Sequence, residues 1–207
     1  MSVETAVRSS AVPEFYFGAM SPYSWFAAER IARLLPEARW HGVFAGAVFK
    51  QNDRVSWGIT ERRDEGIADC DARAAQHGLG PIVWPDPWPT NDVLVARAMV
   101  FCMQSEEDDA LLRAFGLAAM RLSFLEGVDL GEADAVIESG RRAGIEEGAL
   151  ADALQDQQLK GALRTDTDAV VAAGVFGVPT VTVGPERFWG DDRLEDAAGA
   201  FRAASGL

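Results

Sequence analysis

Apolar residues show patterns typical of strands towards both ends of the chain and helical periodicity in between. Residues 15–17 form a short aromatic-rich run typical of a strand, and residues 25–35 repeat apolar side chains at helical spacing. Residues 38–49 predict a second strand. Towards the end, the β-branched run Thr180–Val183 predicts a strand, and residues 187–189 predict its partner across a Gly-Pro turn.

The central part of the chain predicts helices separated by glycines and prolines. The segments with helical periodicity are residues 61–77, 91–103, 108–126, 132–143, 145–155 and 158–173. Three prolines within residues 84–89 predict a stiff aromatic loop, and a terminal helix is expected from Asp191 or Asp192 onwards. This order predicts an α/β domain of residues 12–55 and 165–207, with an inserted all-helical domain of residues 56–164.

The composition and net charge of the chain indicate which kinds of molecule it is expected to bind. The chain has 207 residues and a formal net charge of −13, which disfavours binding to nucleic acids and anionic membranes. No stretch approaches the roughly 18 apolar residues of a membrane-spanning helix. The polar residues 1–13 lack the apolar segment of a secretory signal. We therefore expect a cytoplasmic protein that acts on a small molecule.

The two cysteines do not form a reactive pair. Cys70 and Cys102 lie far apart in predicted helices and match neither disulfide-exchange nor metal-ligand spacing. His41 and His77 are equally isolated, so no metal site is expected. The favoured interpretation is that both thiols are buried and inert.

The first chemical signal is the segment Ser21-Pro22-Tyr23-Ser24, between the first strand and the first helix. Ser followed by Pro is typical of a helix start, where free N–H groups and the helix dipole favour an anion. Lowering the pKa of a bound thiol by about two units takes roughly 2.7 kcal/mol. A charge-assisted hydrogen bond supplies roughly 1.5–3 kcal/mol and a helix end about 0.3–2 kcal/mol. Ser21 could therefore stabilise a thiolate, although these residues alone favour the simpler interpretation, an ordinary helix cap.

Four motifs support a more specific hypothesis when they are taken together. They are residues 15–17, residues 21–24, the Gly-Val-Phe-Gly-Val-Pro-Thr run of residues 174–180 and the Phe-Trp-Gly-Asp-Asp-Arg-Leu run of residues 188–194. In order and spacing they resemble 2-hydroxychromene-2-carboxylate isomerases and kappa-class glutathione transferases, and the resemblance runs from about Pro13 to Phe201. Those families share the fold of DsbA-type disulfide oxidoreductases. The resemblance thus implies an α/β fold in which a thioredoxin-like domain carries an inserted helical domain.

The resemblance also implies that glutathione, or another low-molecular-weight thiol, binds at the first helix. Ser21 occupies the position of the first oxidoreductase cysteine and would contact the thiol sulfur as the catalytic residue. Pro22 and Tyr23 would line the same edge. Val178 would pair its backbone with the cysteine unit of glutathione, beside Pro179, which is cis in such folds. Disulfide exchange is disfavoured because serine holds no redox-active sulfur.

Asp191 and Asp192 match the pair of residues that binds the γ-glutamyl end of glutathione in these families. Asp192 would complement the ammonium group. Several relatives have a neutral residue in place of Asp191, so its charge is expected to weaken binding unless Arg193 or another cation compensates. Asp191 could instead only cap the terminal helix.

Further positions are expected around the thiol and its substrate. The relatives place an asparagine after the second strand, and Asn52 and Arg54 compete for that position; Arg54 and Lys50 could each bind a carboxylate. Aromatic side chains are expected to wall a pocket between the two predicted domains: Trp57, Trp84 and Trp88.

The leading functional hypothesis is a glutathione-dependent isomerase of the 2-hydroxychromene-2-carboxylate isomerase type, acting on an aromatic carboxylate-bearing catabolite. A thiolate held at Ser21 would add to the conjugated substrate, permit bond rotation and leave unchanged. A kappa-like glutathione transferase and a non-catalytic thioredoxin-fold binding protein are the alternatives. The relatives associate, so a homodimer is expected, with residues 87–89 as an apolar contact.

Overall fold

The computed structural model describes residues 12–105 and 109–206. Strands occupy four segments, which are β1 (Glu14–Phe17), β2 (Arg39–Gly42), β3 (Thr180–Val183) and β4 (Glu186–Trp189). Helices occupy the following segments: α1 (Pro22–Leu34), α2 (Ala45–Gln51), α3 (Arg63–Gln76), α4 (Val93–Met103), α5 (Ala110–Glu126), α6 (Ala133–Arg142), α7 (Glu147–Gln155), α8 (Gln157–Ala172) and α9 (Leu194–Ser205). Short 3₁₀ turns lie at Trp57–Ile59 and Asp191–Arg193.

The strands form one mixed sheet in the order β2-β1-β3-β4. β1 runs parallel to β2 and antiparallel to β3, and β4 is antiparallel to β3. Because side chains alternate along a strand, Phe15 and Phe17 point to one face, where both are fully buried in the main core with residues of α1, α4, α5 and α9. Tyr16 points to the other face and packs against a smaller valine cluster from α2, α8 and the loops beside them. Helices therefore cover both faces of the sheet.

Most of the predicted elements are confirmed to within a few residues. The helices of the central part, the strands β1, β3 and β4 and the irregular proline-rich loop at residues 84–89 all lie where the pattern places them. The predicted start of one helix, Asp108, lies outside the described residues. The proposed division at residues 164/165 falls inside α8, which packs against both α2 and α4.

One prediction is wrong: residues 38–49 are not a single strand. The strand β2 ends at Gly42, and a two-turn helix, α2, begins at Ala45. Its N-cap residue, Phe44, offers no side-chain hydrogen bond. The side chain of Asp92 instead accepts a hydrogen bond from Gly46 N–H at 3.2 Å. A cap from a residue so distant in sequence leaves no local signal, whereas Val48 and Phe49 favour a strand locally.

Candidate active site

Ser21 begins helix α1, as the sequence predicts. Its backbone is extended (φ −98°, ψ 117°), and its hydroxyl oxygen accepts a hydrogen bond from the N–H of Ser24 at 3.2 Å, with Pro22 at the first helical position. A serine hydroxyl can donate one hydrogen bond as well as accept two. Within the described ranges the Ser21 hydroxyl donates to no protein group, so its proton remains available to an anion at the helix start.

A first cavity of about 690 Å³ opens beside Ser21. Its wall includes seven residues that the sequence expects to bind the thiol or its substrate, which are Ser21, Pro22, Tyr23, Lys50, Arg54, Trp88 and Val178. These residues are far apart in the sequence and come from α1, α2 and three loops, so the fold brings them to one place.

Aromatic side chains form one side of the first cavity. Trp57 and Trp88 line it with ring centroids 5.0 Å apart, and Trp84 packs behind them, 4.8 Å from Trp88. Trp88 is only 6% exposed, and its indole N–H donates to the carbonyl of Met20 at 3.3 Å. This contact fixes the Trp88 ring against the loop that carries Ser21. The Trp57 and Trp88 rings are inclined by 51° to each other, and an apolar aromatic wall of this kind suits an aromatic ligand.

The cationic side of the first cavity comes from helix α2 and the turn after it. Lys50 is exposed at the end of α2. The guanidinium of Arg54 lies 4.5 Å from the ring centroid of Trp189 and 5.4 Å from that of Phe176. Stacking on two rings orients this guanidinium at the cavity wall.

Asn52 is not part of either cavity wall. Its side-chain N–H donates to the carbonyl of Val48 at 2.8 Å, at the C-terminal end of α2. Arg54, the other residue that the sequence offers for this position, lines both cavities. The expected ligand-binding role of Asn52 therefore has no support from the geometry.

A second cavity, also of about 690 Å³, adjoins the first. It is lined by Pro179, Asp191 and Asp192, and it shares Tyr23, Arg54, Val55, Trp57, Val178 and Trp189 with the first cavity. The Val178–Pro179 bond is cis. The pairing of β1 with β3 ends at Thr180, and within the described ranges the Val178 backbone forms no hydrogen bond. An extended ligand could therefore pair with the Val178 backbone as an added strand does.

Asp191 is buried under the second cavity, with 1% of its surface exposed. One carboxylate oxygen accepts a hydrogen bond from Arg73 at 2.9 Å; the other lies 3.5 Å from His77 Nε2 and 3.9 Å from Arg30 Nη1. Burial raises the pKa of Asp191, and Arg73 and His77 oppose this rise. Proximity in sequence suggests Arg193 as the cation that compensates Asp191. In the structure that cation is Arg73.

Asp192 differs from Asp191 although the two are adjacent. Asp192 is exposed on the wall of the second cavity. Arg193 is turned away and pairs with Asp196 at 2.6 Å. Of the two aspartates, Asp192 is thus the one that is exposed on the cavity wall.

Tyr23 stands between the two cavities as a neutral hydrogen-bond donor. Its hydroxyl donates to Asp69 at 3.0 Å, and Arg73 bonds the same carboxylate oxygen of Asp69 at 3.0 Å while lying 5.3 Å from the Tyr23 ring. Burial, with smaller contributions from Cys70 and Asp69, raises the pKa of Tyr23. The phenol therefore stays protonated at neutral pH.

Neither protein thiol can act as a nucleophile in this site. Cys70 and Cys102 are free and fully buried, as the sequence predicts. Burial raises the pKa of each thiol to about 12, so the thiolate is absent at neutral pH. A reactive sulfur at Ser21 would have to come from a ligand.

Two residues of the site carry no sequence signal that points to them. Asp92 lines the first cavity from the start of α4, and Arg73 lines the second from α3. Neither belongs to a local motif, and each meets its partner, Gly46 or Asp191, only through the tertiary fold.

The fold and the site together define a class of protein. The chain belongs to the DSBA-like thioredoxin domain family, whose pattern matches residues 14–202. This match confirms the predicted α/β class, a thioredoxin-like fold with helices inserted between its strands. In the described part of the chain, none of the helices has the length and apolar character needed to cross a bilayer.

Individual relatives narrow the comparison. A 2-hydroxychromene-2-carboxylate isomerase from Sphingobium xenophagum is 26% identical over 200 residues, in a match that covers 88% of this chain and 93% of the relative. A solved 2-hydroxychromene-2-carboxylate isomerase superposes with a TM-score of 0.78 at 22% identity, covering 95% of this chain and 99% of that chain. The cytosolic disulfide reductase DsbM from Pseudomonas aeruginosa, solved with GSH, gives a TM-score of 0.60 at 13% identity, covering 94% and 99%. The two structural similarities show a shared fold.

Proposed function

We propose that this protein is a thiol-dependent isomerase of the 2-hydroxychromene-2-carboxylate isomerase type, with glutathione as the borrowed thiol. One observation carries the proposal: Ser21 keeps a free hydroxyl proton at the start of α1, on the wall of an aromatic and cationic cavity. Both cysteines are buried away from reaction. The similarity to an isomerase over 88% of the chain supports the same function.

The residues around the second cavity fit glutathione. The unpaired backbone of Val178 matches a peptide-like ligand, and Pro22, Tyr23 and Pro179 flank the path from there to Ser21. The exposed carboxylate of Asp192 complements an ammonium group, while the neighbouring carboxylate of Asp191 is paired with Arg73. The Ser21 hydroxyl and the N-terminus of α1 would then hold the thiolate form of the bound sulfur.

The first cavity fits an aromatic acid. Trp57 and Trp88 offer ring faces, and Arg54 and Lys50 offer positive charges for a carboxylate. Bound at Ser21, glutathione would supply a nucleophile that adds to a conjugated double bond, permits rotation and leaves. The protein's own residues hold the two reactants side by side and keep the attacking atom ionised.

We further propose that the protein works as a cytoplasmic homodimer whose helical insertion lies between two parts of a thioredoxin-like domain. A reducing compartment keeps a diffusible thiol available. The dimer rests on the resemblance alone, because Trp88 is buried at 6% exposure and cannot provide the apolar contact that the sequence suggests for residues 87–89.

The replacement Ser21→Ala tests the proposed function. The variant should lose most of the glutathione-dependent conversion of 2-hydroxychromene-2-carboxylate, and bound glutathione should show less thiolate ultraviolet absorbance at neutral pH. The matched control carries Cys70→Ala and Cys102→Ala and should keep both signals. Equal thiolate absorbance in wild type and Ser21→Ala would contradict the assignment. A product that retains sulfur would indicate a transferase, and binding that is indifferent to Ser21 would indicate a non-catalytic binder.

A further inference from the structure

Asp92 is a carboxylate on the wall of the first cavity that the mechanism above does not use. Asp92 stands at the N-cap position of α4, yet it forms no cap bond there; Asn91 bonds Val93 N–H at 3.0 Å instead. The Asp92 side chain turns towards α2 and accepts from Gly46 N–H at 3.2 Å. Asn91 thus caps the start of α4, and the Asp92 carboxylate is not needed for that purpose.

The cavity wall is shaped around this carboxylate. A Cβ atom built on Gly46 would stand 2.9 Å from the second oxygen of Asp92, so the glycine leaves the space that this oxygen occupies. The other charged side chains on the same wall are Lys50, Asp53 and Arg54, all exposed. A half-buried carboxylate bonded to Gly46 therefore faces the same cavity as two cations, Lys50 at the end of α2 and Arg54 on the turn after it.

We propose that Asp92 carries the proton in the isomerisation, an inference that rests on the proposed function. 2-Hydroxychromene-2-carboxylate is a cyclic hemiketal, and its ring opens when the bond between C2 and the ring oxygen breaks. The Asp92 carboxylate takes the proton of the C2 hydroxyl as that carbon becomes a ketone. The electron pair of the broken bond stays on the ring oxygen, which becomes a phenolate and receives the proton from Asp92. Atoms and charges balance, and Asp92 returns to its starting state.

The surroundings of Asp92 suit this role. Burial raises the pKa of the carboxyl above its usual range, opposed by backbone N–H groups of α2 and of Asp92 itself. A group that accepts and returns a proton works best when its pKa approaches the working pH. The ordinary alternative is that Asp92 only caps α2 through Gly46, and an amide oxygen at the same position would serve that purpose equally well.

Asp92→Asn separates the two roles because asparagine keeps the acceptor for Gly46 N–H but cannot titrate. With glutathione saturating, kcat should fall about 100-fold or more. In wild type, kcat/KM should fall as pH drops through the pKa of Asp92, since the ionised form is the base, and this acid limb should vanish in the variant. Asp53→Asn removes a carboxylate from the same wall and should keep the acid limb. Asp92→Ser serves as a second non-titrating variant if the first folds poorly.

A binding measurement tests Asp92 without turnover. The planar analogue chromone-2-carboxylate cannot open, and its binding can be followed by tryptophan fluorescence. In wild type its Kd should rise as pH increases through the pKa of Asp92, because an ionised carboxylate repels the anion; Asp92→Asn should lose this step and Asp53→Asn should keep it.

The two proposals fail in different ways. An active wild type whose Asp92→Asn variant keeps kcat and the acid limb overturns the role of Asp92 and leaves the isomerase standing. A wild type that neither converts the hemiketal nor binds the analogue overturns both.

Discussion

Ser21 and Ser24 carry the same side chain three residues apart, and the fold uses them differently. Ser24 is fully buried, and its hydroxyl oxygen accepts from Gly18 N–H at 3.2 Å, which braces the loop before α1. Ser21 accepts from the N–H of Ser24 and faces the cavity. Ser24 thus supports the loop, and Ser21 is the serine that lies on the cavity wall.

The exposed Asp192 should contribute to the affinity for glutathione. An ion pair at an exposed site is worth roughly 0.2–1 kcal/mol, so Asp192→Asn should raise Kd by a factor of up to about five. Isothermal titration calorimetry measures the change directly. Glu65→Gln is the matched control, because Glu65 lies on the same cavity wall but is already paired with Arg62 at 3.0 Å. If Glu65→Gln weakens glutathione binding and Asp192→Asn does not, Asp192 does not bind the ammonium group.

At the residue scale, contacts between neighbours in the chain were predictable and contacts between distant residues were not. The Ser21 cap follows from neighbours in the chain, because a serine before a proline stabilises a helix start locally. The state of Asp191 depends on Arg73, which lies 118 residues away, and on Arg30, 161 residues away. The sequence therefore identified the aspartate pair and not the arginines that neutralise one of its members.

At the scale of elements, close packing of α5 against β1 joins the helical part of the chain to the sheet. Gly116 in α5 meets the Phe17 ring so closely that a Cβ atom built on it would stand 2.7 Å from two ring atoms. Phe17 is itself fully buried, so it has little room to move. Glycine is a poor helix former, so its presence inside α5 lowers the intrinsic helix propensity. Packing against Phe17 nevertheless requires a residue without a side chain at this position.

Two glycine replacements should change stability in opposite directions. Gly116→Ala should lower the free energy of unfolding by about 1–3 kcal/mol, because the added methyl group overpacks the core. Gly161→Ala, in the middle of α8 with no atom within 4 Å of the new methyl group, should raise it by about 0.5–1 kcal/mol. Urea unfolding followed by circular dichroism measures both. Stabilisation in both variants would mean that α5 does not pack on Phe17 as described.

Most of the helices and the strands β1, β3 and β4 were predictable because their signals are local and periodic. Helix α2 was not, since its first N–H groups are satisfied by Asp92 from another part of the chain. A contact between distant segments therefore accounts for this difference.

At the scale of the whole molecule, the expected assembly is a dimer. Sedimentation of the protein at micromolar concentration should return twice the chain mass of 22.3 kDa. A single species near the chain mass would contradict this expectation and leave the site unchanged, since residues of one chain line both cavities.

The burial of both cysteines has a consequence for how such a catalyst survives oxidative stress. Enzymes with a cysteine nucleophile are inactivated when that sulfur is over-oxidised or alkylated, and the damage is permanent. Here the protein's two thiols are enclosed in α3 and α4, and the reactive sulfur of the proposed mechanism belongs to a ligand that binds and dissociates. An oxidised thiol ligand would dissociate and an intact one would bind in its place. The atom that is sensitive to oxidation would therefore be replaced without synthesis of new protein.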